Sequence, residues 1–210
     1  MTISGIETLS DASPLLQEAA AWRLVGLLLE RPGPEWLEQV LTLANEVPDA
    51  GLKAAAEAAR QEASPGLYDS TFGPGGPAAP REVSYRRGVL PGAPLAELRS
   101  LYEAFAYRPS LAEPPDHVAV EAGFVAYLRL KQAYALARGN DEQRRICADA
   151  EQGFLQEHLS RMAGLLVNSL TTSGITYLAQ AAEALRSRAG PAPADAALAV
   201  LSDEEPNENE

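Results

Sequence analysis

Two histidines and one cysteine limit what chemistry this chain can perform. His117 follows Glu113-Pro114-Pro115-Asp116 and opens the run Val118-Ala119-Val120-Glu121-Ala122-Gly123-Phe124-Val125-Ala126-Tyr127-Leu128. His158 lies further on, in Phe154-Leu155-Gln156-Glu157-His158-Leu159. The two prolines stop the element before them. An acid and an imidazole then stand at a helix start, where polar side chains can accept backbone N–H groups or meet a cation or an amide. Asp116 can do both, because a carboxylate keeps spare lone pairs after capping.

Other chemistries find little support. A zinc site needs three or four ligands at close spacing, and His117, His158 and Cys147 do not provide them, so no metal is expected. Cys147 sits at a core spacing, and no Gly-x-Ser-x-Gly elbow occurs. Gly73-Pro74-Gly75-Gly76 lacks the Lys-Ser/Thr ending of a phosphate loop, and turn chemistry accounts for it. No cofactor and no catalytic residue is expected. The residues themselves suggest a binding module, with a plainer reading beside each candidate. Asp116 could be only an N-cap, and His158 a core histidine satisfied by a carbonyl. Trp22, Tyr102, Phe105, Tyr107, Phe124 and Tyr127 could line a groove or fill the core.

The elements that must position these residues read as helices. Ser13-Pro14 looks like an N-cap with proline in the first turn, followed by Leu15, Leu16, Ala19, Trp22, Val25, Leu28 and Leu29 at helical spacing. Arg31-Pro32-Gly33-Pro34 separates this helix from the next, with inner face Trp36, Leu37, Val40, Leu41, Ala44 and Val47. An alanine-rich helix follows over Leu52 to Ala63. From 64 to 93 prolines and glycines break the pattern, predicting a long loop held down by Tyr68, Phe72 and Tyr85. Helices are then expected over Pro94–Tyr107, Asp116–Ala137, a stretch capped by Asp141 that reaches His158 to Leu170, and Ile175–Arg188. Within that stretch Ile146, Cys147, Ala150, Phe154, Leu155, Leu159 and Met162 form the expected inner face. The fold class is all-α: a single globular multi-helix bundle over residues 13–189 with a long Gly/Pro-rich loop at 64–93. Residues 1–12 are expected to be a flexible N-terminus, and 190–210 an acidic, disordered tail.

Composition sets the outer bounds. Apolar residues make up 46 % of the 210 residues, enough for one sizeable core. Abundant alanine and leucine favour helix over sheet. The formal charge of −12 argues against a phosphate-binding surface, so nucleic acid is not an expected partner and a basic peptide is. A single cysteine fits a reducing compartment. No apolar run approaches the ~20 residues of a membrane span, and no stable membrane association is expected. With no basic n-region before an apolar stretch, the start does not read as a signal peptide, and a cytoplasmic location is expected.

The segment 113–128 resembles the signature of the TorD/DmsD/NarJ group of redox-enzyme maturation chaperones, which has an acid and prolines ahead of Asp-His, then an amphipathic helix. Val125 stands where methionine is common. Phe154-Leu155-Gln156-Glu157-His158-Leu159 is similar to the group's Phe-Leu-x-x-His-Leu, with Met162 in place of a frequent tryptophan. Phe72-Gly73-Pro74 and Pro80-Arg81-Glu82-Val83-Ser84-Tyr85 look like its Phe-x-Gly-Pro and Pro-x-Glu-Ser-x-Tyr, although Val83 is an extra residue. The resemblance implies an all-helical chaperone, monomeric or a domain-swapped dimer. Its implied partner is the precursor catalytic subunit of a molybdopterin-dependent oxidoreductase, held by an N-terminal leader that is commonly twin-arginine. It further implies leader contacts at Glu113, Pro115, Asp116, His117, Glu121, Phe124, Tyr127, Tyr102 and His158. A non-exported client whose leader lacks the arginine pair, and a generic protein-binding scaffold, are the alternatives.

Overall fold

The structure, a computed structural model, describes residues 3–86, 88, 90 and 92–193, with side chains from residue 12 onward. Among them there is no β-strand, and the all-α expectation holds. The helices are α1 (Ile3–Leu28), α2 (Trp36–Glu46), α3 (Ala50–Glu62), α4 (Pro65–Phe72), α5 (Gly92–Ala104), α6 (Val118–Ala137), α7 (Asp141–Phe154), α8 (Ser160–Ser173) and α9 (Thr176–Ala189).

α6 is the central element. Its Val118, Val120, Phe124, Val125 and Leu128 are buried, and α1 lies along its length. Gly26 permits that approach: a Cβ there would stand 3.2 Å from the Ala119 carbonyl oxygen. α3 turns Leu52, Ala55, Ala56 and Ala59 inward and packs on α9, whose Tyr177, Leu178, Ala181 and Ala182 are buried. Trp36 anchors α2 by donating Nε1–H to the Leu27 carbonyl at 2.8 Å. The residue before it, Glu35, has φ 60°, a left-handed conformation disfavoured for any side chain.

Local chemistry accounts for several helix ends. Asp49 accepts from the Leu52 N–H at 2.9 Å and starts α3, while Ser64 accepts from the Leu67 N–H at 3.1 Å and starts α4. Gly174, at φ 74°, closes α8 in the left-handed conformation that glycine adopts without strain.

Several expectations need correction. α1 begins at Ile3 and contains Pro14, so Ser13-Pro14 lies inside the helix and does not start it. The segment 64–93 is not a continuous loop: Ser64-Pro65 initiates α4, and Glu82–Ser84 form a 3₁₀ turn. Proline at the first helical position is favourable there, so Pro65 starts a helix where its composition suggested a break. α7 is capped by Asn140, not Asp141, through the Gln143 N–H at 3.0 Å. Ile146 is 44 % exposed and does not belong to the inner face. α7 and α8 are joined through a π-helical turn, Leu155–Leu159. Of the expected tail 190–210, residues 194–210 lie outside the described residues.

Candidate functional site

The resemblance motifs converge on one buried polar network. Pro80 to Arg86 lies against the start of α6 by two backbone hydrogen bonds. Glu82 donates its N–H to the Asp116 carbonyl at 2.9 Å and Val118 donates its N–H to the Pro80 carbonyl at 2.8 Å, which together make an isolated antiparallel bridge of Arg81 with His117. Asp116 then pairs with Arg81, its carboxyl 2.8 Å from Nη2 and 2.9 Å from Nε, and accepts the Val83 N–H at 3.3 Å. Asp116 therefore ties down the 80–86 segment and does not cap α6. The capping atom belongs to His117, whose Nδ1 accepts the Ala119 N–H at 3.2 Å.

That hydrogen bond fixes the imidazole tautomer. With Nδ1 accepting, a neutral His117 carries its proton on Nε2, which stands 3.0 Å from the Tyr68 hydroxyl and donates to it. Burial opposes the imidazolium, the Asp116 charge favours it and the Arg81 charge opposes it; the net result lowers the His117 pKa to about 4. The ring stays neutral at physiological pH.

Glu82 is the second centre. Its Oε2 lies 3.1 Å from His158 Nδ1, and its Oε1 accepts Arg86 Nε–H at 2.6 Å. Burial alone would raise its pKa, but the hydrogen bond from His158 and the charges of His158 and Arg86 outweigh that, holding the carboxyl below its ordinary range. Glu121, on α6, has no exposed surface and, among the described residues, no donor near either oxygen. Burial, the neighbouring Glu82 and Asp116 charges and a hydrogen bond to Glu82 raise its pKa well above the usual carboxylate value. The two observations agree if Glu121 is neutral, because a carboxylic acid can donate to Glu82 where a carboxylate could not.

An aromatic cluster backs the network. Phe124, fully buried, lies 4.9 Å from both the Tyr102 and Phe154 rings and 5.3 Å from Tyr107. Tyr102 donates to the Pro115 carbonyl at 2.8 Å, and Tyr127 to the Phe105 carbonyl at 3.0 Å. Phe154 stacks on His158 at 4.7 Å. The aromatics at helical spacing are thus core here.

Of the residues expected to contact a leader, Asp116, His117, Glu121, Phe124, Tyr102 and His158 are buried and present no surface to a peptide in this conformation. Their polar groups point inward because the 80–86 segment covers them. Pro115 and Tyr127 are half-buried, and Glu113 is exposed. Composition and periodicity missed Arg81, Glu82 and Arg86 and gave Tyr68 only as a residue packing the loop, and Arg81 and Glu82 were noted only through the family motif. The available signal was three charges, Arg81, Glu82 and Arg86, inside a stretch otherwise rich in proline and glycine.

Outside the network, Glu30 is half-buried beside Arg23 at 3.5 Å. Burial raises its pKa, Arg23 counters that, and the nearby Glu113 charge adds to the rise. A neighbouring cleft of about 490 Å³ is lined by Arg23, Leu27, Glu35, Glu38, Gln39, Thr42 and Leu43. Among the described residues no helix is long and apolar enough to cross a membrane, and no three His, Cys, Asp or Glu side chains gather as metal ligands.

Comparison with known proteins places these observations in a family. No curated protein matches the chain. A crystal structure from Archaeoglobus fulgidus, assigned as a redox enzyme maturation protein, matches with a TM-score of 0.53 at 17 % identity, over 81 % of this chain and 92 % of that one. At that identity the likeness shows the fold. The family profile described as nitrate reductase delta subunit matches residues 38–168, which include α4, the 80–86 segment, Asp116-His117 and the π turn with His158. The chain belongs to the nitrate reductase delta subunit family, within the TorD/DmsD/NarJ group of redox-enzyme maturation chaperones.

Proposed function

We propose that this protein is a dedicated cytoplasmic chaperone for the precursor catalytic subunit of a molybdopterin-dependent oxidoreductase. It holds the client's N-terminal leader, of the twin-arginine type, until cofactor insertion is complete. The observation that carries the proposal is Glu113: among the carboxylates of the 113–121 segment it is the one left at the surface, beside half-buried Glu30. With Glu35 and Glu38 in the adjoining cleft, these carboxylates offer acceptors to the guanidinium groups of a basic leader. Leu27 and Leu43 in the same cleft provide an apolar floor for the leader's helical part.

No catalytic step is part of this role. His117 and His158 are both buried, so neither imidazole is open to a substrate. Binding must be reversible, since the client is released. A micromolar affinity, about −8 kcal/mol, is sufficient.

The test is an affinity pull-down of the tagged protein from its native host while its molybdenum enzymes are being made, with mass spectrometry of the captured chains. Recovery of a precursor subunit with its leader intact is expected. Recovery of none overturns the proposal. Capture that survives replacement of the client's arginine pair by glutamine assigns a leader of another type.

A further inference from the structure

Arg86 sits in a receptor shaped for a guanidinium group. Its Nε–H donates to Glu82 Oε1 at 2.6 Å, and its Nη2 reaches the same carboxyl and donates to the Glu157 carbonyl oxygen. That carbonyl belongs to the π turn Leu155–Leu159, whose widened hydrogen-bond ring turns backbone acceptors away from the regular ladder. Nη2 also lies 3.3 Å from His158 Nδ1, but that nitrogen directs its hydrogen at Glu82, so the arginine's proton goes to the carbonyl.

The wall behind Arg86 is polar, buried and incompletely satisfied. Glu82 and Glu121 have no exposed surface, and His158 is 1 % exposed. Among the described residues His158 Nε2 finds no partner, and the Glu121 acid is turned to Glu82 alone. A cluster of this kind is larger than one ion pair needs. Arg86 itself keeps 18 % of its side chain in contact with solvent, so the receptor opens outward. From Arg86 the sequence reads Arg86-Arg87-Gly88-Val89-Leu90, two arginines running into apolar residues, the same order as a basic leader running into its apolar stretch. Leu90 is 83 % exposed, so it makes no claim on the core beyond the receptor.

We propose that the receptor built from Glu82, the Glu157 carbonyl and His158 is an arginine-binding subsite for the client leader, occupied by Arg86 as an internal stand-in until a client arginine displaces it. This rests on the leader-binding function proposed above. The exchange replaces one guanidinium by another, so the buried Glu82 carboxylate stays paired throughout and no uncompensated charge is created. A tethered Arg86 competes at high effective concentration. A single free arginine therefore does not displace it, and a leader with further contacts does. The competition lowers the apparent affinity and makes release easy. Lysine does not substitute, because an ammonium cannot fork across the carboxylate and the carbonyl as a planar guanidinium does.

The test uses the full chain and two synthetic 20-residue peptides, one with consecutive arginines ahead of an apolar helical stretch, the other with lysines in their place. Calorimetry is expected to show the arginine peptide binding Arg86→Gln about 10-fold more tightly than the unsubstituted protein, with the lysine peptide indifferent to the substitution. In the unsubstituted protein, the Arg86 Nε–H resonance should be protected from exchange and should lose that protection when the arginine peptide is added; this readout survives even if Arg86→Gln folds poorly. Equal affinities together with an undisturbed Arg86 resonance overturn the stand-in while leaving leader binding intact. Failure of both proteins to bind the arginine peptide removes the leader-binding function itself and this proposal with it.

Discussion

Glu82 and His158 are separated by 76 residues in the chain and meet at 3.1 Å inside the protein. One belongs to a short 3₁₀ turn in a proline- and glycine-rich connection, the other to a π turn between two long helices. Their contact fastens the connection to the bundle from one side. The Arg81–Asp116 pair fastens it from the other. Between them the family's separated motifs become one structural unit.

Asp116→Ala should lower stability by ~2–3 kcal/mol, below the full cost of stranding a buried charge because Arg81, at 37 % side-chain exposure, can be hydrated. The helices are not capped by Asp116, so the far-ultraviolet circular dichroism of the folded protein should be unchanged. Urea denaturation checks the loss, and a difference under about 0.5 kcal/mol, the size of an ordinary surface change, would contradict the clamp.

His117 should make the protein acid-sensitive. Its folded pKa, about 4, lies below the ordinary value of 6.5, so the unfolded chain binds more protons between the two. The contribution is fully present above pH 6.5 and is lost as the pH falls towards 4, about 3 kcal/mol in all. Urea midpoints measured across that interval should fall in the unsubstituted protein. In His117→Gln this component should be absent, leaving a flatter profile.

Glu121 acts with the opposite sign. Its pKa is raised in the fold, so its stabilising contribution is present below the ordinary carboxylate value of 4.5 and is lost as the pH rises, when the unfolded chain ionises and the folded one does not. Glu121→Gln keeps the shape and a donor for Glu82 without that cost. It should be more stable than the unsubstituted protein at pH 7.5 by ~1–2 kcal/mol, with the gap closing towards pH 4.5. A variant that is less stable at neutral pH would mean that the buried acid is needed in its charged form.

Gly123 marks a close approach. A Cβ there would lie 2.6 Å from the Tyr107 hydroxyl, which donates to the Val120 carbonyl at 3.2 Å. Alanine favours the helix by ~1 kcal/mol, but displacing the hydroxyl costs about 1–2 kcal/mol, so Gly123→Ala should be neutral to mildly destabilising. In a Tyr107→Phe background the clash is gone and the same substitution should stabilise. Thermal unfolding of the four proteins completes the cycle.

Glu113→Lys should weaken binding of a basic leader peptide about 10-fold, or 1.4 kcal/mol, with the effect shrinking as salt is added. Glu113 is exposed, so the melting temperature should move little. Calorimetry at two ionic strengths checks both statements.

The periodicity of α2, α3 and α6 was legible because each buries one face at helical spacing: Trp36, Val40 and Ala44 in α2, and Leu52, Ala55, Ala56 and Ala59 in α3. That Asp116, His117 and His158 were candidates was legible from their residue types. Their roles were not. Capping passed from Asp116 to His117 because Arg81 and the Val83 N–H claim the Asp116 carboxylate, and no local pattern around residue 116 reports a partner 35 residues upstream. The expected loop hid α4 for a simpler reason, since Pro65 both breaks one helix and begins another.

By itself the sequence determined an all-helical bundle and its family and marked out a set of candidate residues, because helical spacing, turn residues and short motifs are local properties written in consecutive positions. Only the tertiary structure decided which of those residues face a partner and which face one another. Glu82, Asp116, Glu121, His117 and His158 are buried together, and Glu113 is left outside. That division depends on how the 80–86 segment lies across α6 and the π turn, through ion pairs and hydrogen bonds between distant parts of the chain. Such contacts set pKa values and exposure by distance in space, which separation along the chain does not encode.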